Sequence, residues 1–184
     1  MAAWRFFNDL PQDNRFEMVT LILGMALGPT LVNHDFTTAT LMEQFLSGKV
    51  PGVAKMQAPM VDVRDAAIAH IKAIEAPGAK NQRIIIVGYN IWFKEMAEIL
   101  NDHFGKWGYK IKTGEIKLWM LKVASWIDDT AKSILPQWDK EQVLSNKKSI
   151  DILGMTYHGH RETLIDMGES MIDIGIVPDK RKKK

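Results

Sequence analysis

The chain has 184 residues, of which 46% are hydrophobic and 25% charged, enough for one domain of ordinary size with a buried core. It has no cysteine, which excludes a disulfide framework, a zinc–thiolate site and a cysteine nucleophile; the cytosol is the default expectation for its compartment. The net charge of +2 is concentrated in Lys180–Lys184, the preceding chain being net acidic, and no basic stripe with interleaved aromatics argues for nucleic acid.

Residues 2–10 read as the end of a helix, and Pro11-Gln12-Asp13-Asn14 as a turn. Met18 to Leu23 is a nearly unbroken apolar run that suits a parallel strand buried on both faces. Gly28 to Asn33 leads into a loop, and Thr37 to Leu46 is expected to be a helix ending near Gly48. Ile84 to Val87 reads as another short buried strand. Phe93, Met96, Ala97, Leu100 and Phe104 form a helical stripe stopped by Gly105. Lys110 to Ile116 reads as an exposed strand. Trp119, Val123, Trp126, Ile127 and Thr130 read as one face of a further helix, its tryptophans as core. Glu141 to Leu144 reads as a short strand, Lys147 opens a helix closed by Gly154, and Leu164, Met167, Met171 and Ile172 mark the last helix, stopped near Gly175. No apolar run reaches the roughly 18 residues of a membrane span and no signal peptide is recognisable, so no membrane partner is expected.

Met60-Val61-Asp62-Val63-Arg64-Asp65 is the most informative run. It joins an apolar strand end directly to a helix, with Asp62 as N-cap and Asp65 where a capping-box acid reaches back. Ala67, Ile68, Ile71 and Ile74 line one helical face before Pro77-Gly78 ends the element.

This run falls in register with Val19-Thr20-Leu21-Ile22-Leu23-Gly24-Met25-Ala26-Leu27-Gly28-Pro29 upstream. Downstream come Arg83-Ile84-Ile85-Ile86-Val87-Gly88, Lys94-Glu95-Met96-Ala97-Glu98-Ile99-Leu100 and Asn146–Gly154. In this order the segments resemble the C-terminal part of an extended short-chain dehydrogenase/reductase, dihydroflavonol-reductase-like, of the NAD-dependent epimerase/dehydratase superfamily. The resemblance implies an α/β fold: a partial Rossmann-type parallel sheet with a mainly helical substrate-side lobe, without the N-terminal dinucleotide-binding half. Residues 1–178 form that portion, and 179–184 a solvated, disordered basic tail. It implies NADP or NAD as cofactor and a small ketone or aldehyde as substrate; the apolar strands Met18–Leu23 and Ile84–Val87, left without flanking strands, are expected to invite homo-oligomers or other association through an exposed sheet edge. The turn Leu23, Gly24, Met25 and Ala26 matches the place where relatives lay backbone against the nicotinamide, although Ile22-Leu23 stands where they carry Asn-Pro. Thr37 falls where relatives place a hydroxyl near the cofactor phosphates; capping of the following helix by Thr37 or Thr38 is the plainer reading.

The family's chemistry also needs parts that this sequence lacks. No glycine-rich turn of the pyrophosphate-binding spacing occurs. No tyrosine is followed four residues later by lysine: Tyr89 is followed there by Phe93, Tyr109 by Thr113 and Tyr157 by Arg161. No catalytic residue is therefore assigned, and the chain alone is expected to be inactive. Two other classes stay open: a non-catalytic binding module, and a partner that docks on an intact homologue. His158 and His160 lie in a turn and make a poor metal pair, His70 reads as a packing residue, and His34 and Asp35 sit in a loop that a substrate could reach.

Overall fold

The computed structural model describes residues 2–33 and 37–181. In chain order it contains α1 (Ala2–Asp9), β1 (Thr20–Leu23), β2 (Met25–Leu27), α2 (Thr37–Ser47), β3 (Gln57–Asp62), α3 (Val63–Glu75) and β4 (Arg83–Ile86). There follow β5 (Tyr89–Trp92), α4 (Phe93–Phe104), α5 (Leu118–Ala124), α6 (Asp129–Ile134), α7 (Lys147–Leu153) and α8 (His160–Asp173). The class is α/β, as expected, but the strands divide into two small sheets. β1 pairs with β4 in parallel, Leu21 opposite Ile84. In the second sheet β2 runs parallel to β3, and β5 runs antiparallel to β3, an arrangement that a purely parallel sheet does not contain.

Gly24 alone separates β1 from β2, so the chain passes from one sheet to the other within one residue. A side chain cannot stand there, because a Cβ would lie 2.8 Å from the Pro59 carbonyl oxygen. The larger core fills the space between the second sheet and α2, α4 and α8. Phe45, Leu46, Met96, Leu100, Phe104 and Leu164 are essentially sealed from solvent within it. A smaller core beneath α3 joins Ala66, Ala69 and Ala73 to Ile84 and Ile86.

That second core corrects the expected orientation of α3. Its buried face carries the alanines, while Ile68 and Ile71 are exposed and Ile74 is 85% exposed. Alanine lets a helix approach a sheet more closely than isoleucine, and that approach decides which face turns inward. β1 is also less enclosed than expected: among the described residues it has β4 as its one neighbour, and Leu23 is exposed.

Two expected strands are absent. Lys110–Ile116 is irregular apart from one parallel bridge between Val53 and Glu115. Glu141–Leu144 is also irregular, its amides held by side chains in place of a ladder: Gln142 N–H donates to Gln57 Oε1 at 2.8 Å and Leu144 N–H to Asn90 Oδ1 at 3.3 Å. The expected helix through Trp119 and Thr130 is two helices, α5 and α6, with Asp128 capping the second. Their tryptophans are not core: Trp119 is exposed and Trp126 is 86% exposed, whereas Leu121 and Ala131 turn inward.

The basic terminus is anchored further along than expected. Tyr109 donates its hydroxyl to Pro178 O at 2.7 Å and accepts from Lys180 N–H, and Arg181 pairs with Asp173 and Asp179. Residues 182–184 of the expected tail lie outside the described residues. Among the described residues, no helix is long and apolar enough to cross a membrane.

Candidate functional site

The ends of β1 and β2 set the position of the site. Parallel α/β sheets offer ligands the space beyond their strand carboxyl ends; Leu23 closes β1 and Gly24 lies beyond it, whereas Met25 and Ala26, expected to belong to the same turn, are the first residues of β2 and pair with β3. Gly24 N–H donates to Ile86 O at 3.0 Å, fixing this turn against the end of β4. Beyond it a cavity of about 680 Å³ opens between β2, α2 and α6, large enough for a drug-sized molecule. Its apolar wall is Met25, Leu41, Met56, Phe93 and Ile134, and its polar wall includes Thr37, Thr130, Ser133 and Gln137.

Two of the residues assigned from the sequence, Met25 and Thr37, therefore meet at one cavity. Ala26 lines a neighbouring apolar cleft of about 650 Å³ with Leu27, Leu31, Val63 and Arg64. Leu23 and Gly24 line neither cavity; Gly24 shapes the turn. His34 and Asp35 lie outside the described residues. The contributions of Met56, Phe93 and the α6 side chains are missing from the sequence reading. The one local signal for the last is Thr130, Ser133 and Gln137 recurring at spacings of three and four on the segment that begins with α6.

A polar joint holds the strand-to-helix corner behind these cavities. Asp62 is the N-cap of α3, as expected, and its side chain is wholly buried. Oδ1 accepts from Arg64 N–H at 2.8 Å and from Arg64 Nε at 2.9 Å. Oδ2 accepts from Arg64 Nη2 at 2.7 Å and from Thr163 Oγ1 at 2.7 Å. Arg64 also donates to Asp166 at 2.9 Å, so the joint ties α3 to α8. Burial by itself would raise the Asp62 pKa, but the Arg64 guanidinium, the Thr163 hydroxyl and the Arg64 amide hold it below the ordinary aspartate value.

A carboxyl whose folded pKa is depressed contributes stability that is present above its unfolded value, about 3.9, and lost as pH falls through the folded one. The melting-temperature difference between the wild type and Asp62→Asn is thus expected to be greatest near neutrality and to shrink below about pH 4. An unchanged difference in melts recorded at neutral and strongly acidic pH would contradict this assignment.

Asp65 does not reach back to complete a capping box. Its buried carboxylate accepts His158 N–H at 2.8 Å and meets His158 Nδ1 at 2.6 Å, pinning the α7–α8 turn to α3. His160 faces Glu95 and packs against the Tyr89 ring. His70 is exposed, with its Nδ1 2.7 Å from Ala66 O. Among the described residues no cluster of three metal-ligating side chains occurs. Two of the three tyrosine hydroxyls are engaged elsewhere: Tyr157 shares a 2.7 Å hydrogen bond with Ser149, and Tyr109 bonds Pro178. Burial pushes the Tyr157 pKa up, so this phenol is poorly suited to give up its proton.

Comparison with known proteins supports the resemblance read from the sequence. No family model matches the chain. An uncharacterized oxidoreductase of Saccharomyces cerevisiae is 23% identical over 179 residues, which are 94% of this chain and 47% of that protein. The NADPH-dependent methylglyoxal reductase of the same yeast is 23% identical over 180 residues, 93% of this chain and 47% of its own length. The crystal structure of Gre2 from Candida albicans in complex with NADPH superposes with a TM-score of 0.71 at 24% identity, covering 95% of this chain and 48% of that one. The chain spans about half the length of the relatives it matches.

Proposed function

We propose, for a chain with the fold of the extended short-chain dehydrogenase/reductases, that it supplies the nicotinamide-facing and substrate-side half of an NADP(H)-dependent reductase acting on a ketone or aldehyde. One observation carries this reading: just past the carboxyl end of β1, Met25 and Thr37 meet at a cavity whose described lining side chains are all neutral. NADPH is chosen because the yeast methylglyoxal reductase is NADPH-dependent and the Candida albicans Gre2 structure contains NADPH. A dihydroflavonol-like ketone is the finer form of the reading.

Gly24 carries the chain from one sheet to the other with Pro59 and Val87 packed against it, so a nicotinamide ring would lie on the Met25 side, where the cavity opens. No glycine-rich turn at a helix start is present in the sequence to hold a pyrophosphate, which would have to be bound by other residues. When bound, the nicotinamide supplies hydride to the carbonyl carbon. The part of this chain is to orient the substrate: Met56, Phe93 and Ile134 shield the apolar part from water, and the threonine and glutamine side chains meet its polar atoms. No tyrosine followed four residues later by lysine occurs in the sequence to supply the proton.

Purified chain with NADPH and a panel of aldehydes and ketones is expected to show no turnover above a heat-killed control. A chimera joining the N-terminal half of the Saccharomyces cerevisiae methylglyoxal reductase to this chain is expected to consume NADPH with at least one of them. Turnover by the chain alone would overturn the inactivity; a folded, NADPH-binding chimera that reduces nothing would overturn the reductase reading.

A second reading, a module that associates with another copy or an intact homologue, is favoured by one observation. The β1 edge not paired to β4 and the exposed Ile68, Ile71 and Ile74 form an open sheet edge and an uncovered apolar helix face. Sedimentation is expected to show concentration-dependent association, with dye-detectable apolar surface in the dilute chain. A compact monomer that binds no such dye would remove this reading.

A further inference from the structure

We infer that the cavity between β2, α2 and α6 selects uncharged carbonyl compounds that carry a neutral hydrogen-bonding group, and that Thr130, Ser133 and Gln137 are among its specificity-determining residues. The inference rests on the reading above that this cavity is the substrate site. No acidic, basic or histidine side chain is among the described residues that line it. A carboxylate or phosphate held there would meet no counter-charge from these side chains, so any water it gave up would go uncompensated. Asp128 caps α6, its carboxylate accepting Thr130 N–H at 2.8 Å, and sets a negative charge beside Thr130.

The polar row itself is set up for neutral partners. Thr130, Ser133 and Gln137 follow at spacings of three and four, which bring their side chains to one side of the segment. Ser133 Oγ donates to Thr130 O at 2.7 Å, which leaves the acceptor lone pairs of that hydroxyl for a ligand N–H or O–H. Gln137 Oε1 accepts from Gln142 at 3.0 Å, and its amide nitrogen makes only a long 3.4 Å contact with Ser133 O, leaving donor capacity toward the cavity. Met25, Met56 and Phe93 offer no polar side-chain group stronger than a thioether, while Thr37, Thr38, Thr40 and Gln44 of α2 add a second polar row to the lining. A substrate therefore binds with its apolar body on Met25, Met56 and Phe93 and a hydroxyl or amide on the polar rows.

Three near-isosteric probes test this on the chain itself: acetophenone, para-acetylbenzamide and para-acetylbenzoate, titrated into isotope-labelled protein and followed by NMR. The benzamide is expected to shift resonances of residues around Met56 and Ser133 and to bind at least about tenfold more tightly than the benzoate. Acetophenone is expected to fall between them. Ser133→Lys, at an exposed helix position, is expected to reverse the preference toward the benzoate, and Met56→Trp to abolish binding by filling the cavity. Equal or tighter benzoate binding, an unchanged preference in Ser133→Lys, or no benzamide binding at millimolar concentration would overturn the proposal. A chimera that turned over the benzamide and the benzoate alike would leave the reductase reading standing and defeat this one. Selective binding by the chain with an inactive chimera would do the reverse.

Discussion

Asp62→Ala is expected to cost the fold about 2–4 kcal/mol, from the lost N-cap and a buried hydroxyl left without its acceptor. The carboxylate has no exposed surface and accepts four hydrogen bonds, from the Arg64 amide, two Arg64 guanidinium nitrogens and the Thr163 hydroxyl. Alanine would leave a fully buried Thr163 hydroxyl without its acceptor, an α3 N-terminus without its cap, and Arg64 with Asp166 alone. Sequence reasoning recognises only the cap, worth about 0.5–2 kcal/mol, so the excess measures the tertiary part of the joint. Asp62→Asn should lose less, because it keeps an acceptor for the cap and for Thr163. Urea unfolding midpoints for the three proteins check the order, and an alanine loss under about 1 kcal/mol would show that the joint does not hold α3 to α8.

Phe104→Ala is expected to cost about 3–5 kcal/mol through lost burial and the cavity left behind. The ring is sealed at the end of α4, where it packs against His103, Trp107 and Tyr109 and lies directly over Gly168 on α8. A Cβ at Gly168 would stand 2.5 Å from Phe104 Cζ, so α4 and α8 are held together by a ring lying on bare backbone. Gly168→Ala alone should therefore destabilise the protein by about 1–3 kcal/mol, partly offset by the better helix propensity of alanine. In the Phe104→Ala background the same substitution should stabilise by roughly 0.5–1 kcal/mol, because the obstruction is gone and the propensity gain remains. A double-mutant cycle of unfolding free energies reads the coupling, and additive effects would mean that the helices do not meet through this pair.

Parts of the fold are legible in the sequence because their causes lie within a few residues. The β3–α3 corner follows from an apolar run ending at Asp62, and Gly154 ends α7 in the left-handed conformation that a side chain would disfavour. Asp128 begins a new helix at α6, a signal the sequence contains that a continuous stripe from Trp119 to Thr130 overrides in the reading. The candidate site is only half legible. Met25 and Thr37 follow from the resemblance, but Met56, Phe93 and the α6 row reach the same cavity from separate segments.

The sequence by itself determined the α/β class, the order of most elements, the direct passage from β3 to α3, and the absence of a tyrosine–lysine pair and of a glycine-rich turn. Each depends on residue identity or on spacing within one turn or strand. The tertiary structure alone decided that α3 buries Ala66, Ala69 and Ala73 in place of its isoleucines, that Asp65 binds His158 across 93 positions of chain, and that Trp119 and Trp126 stay outside the core. Periodicity identifies an apolar face without saying what covers it; the closeness of helix to sheet and the partners brought from distant segments determine that.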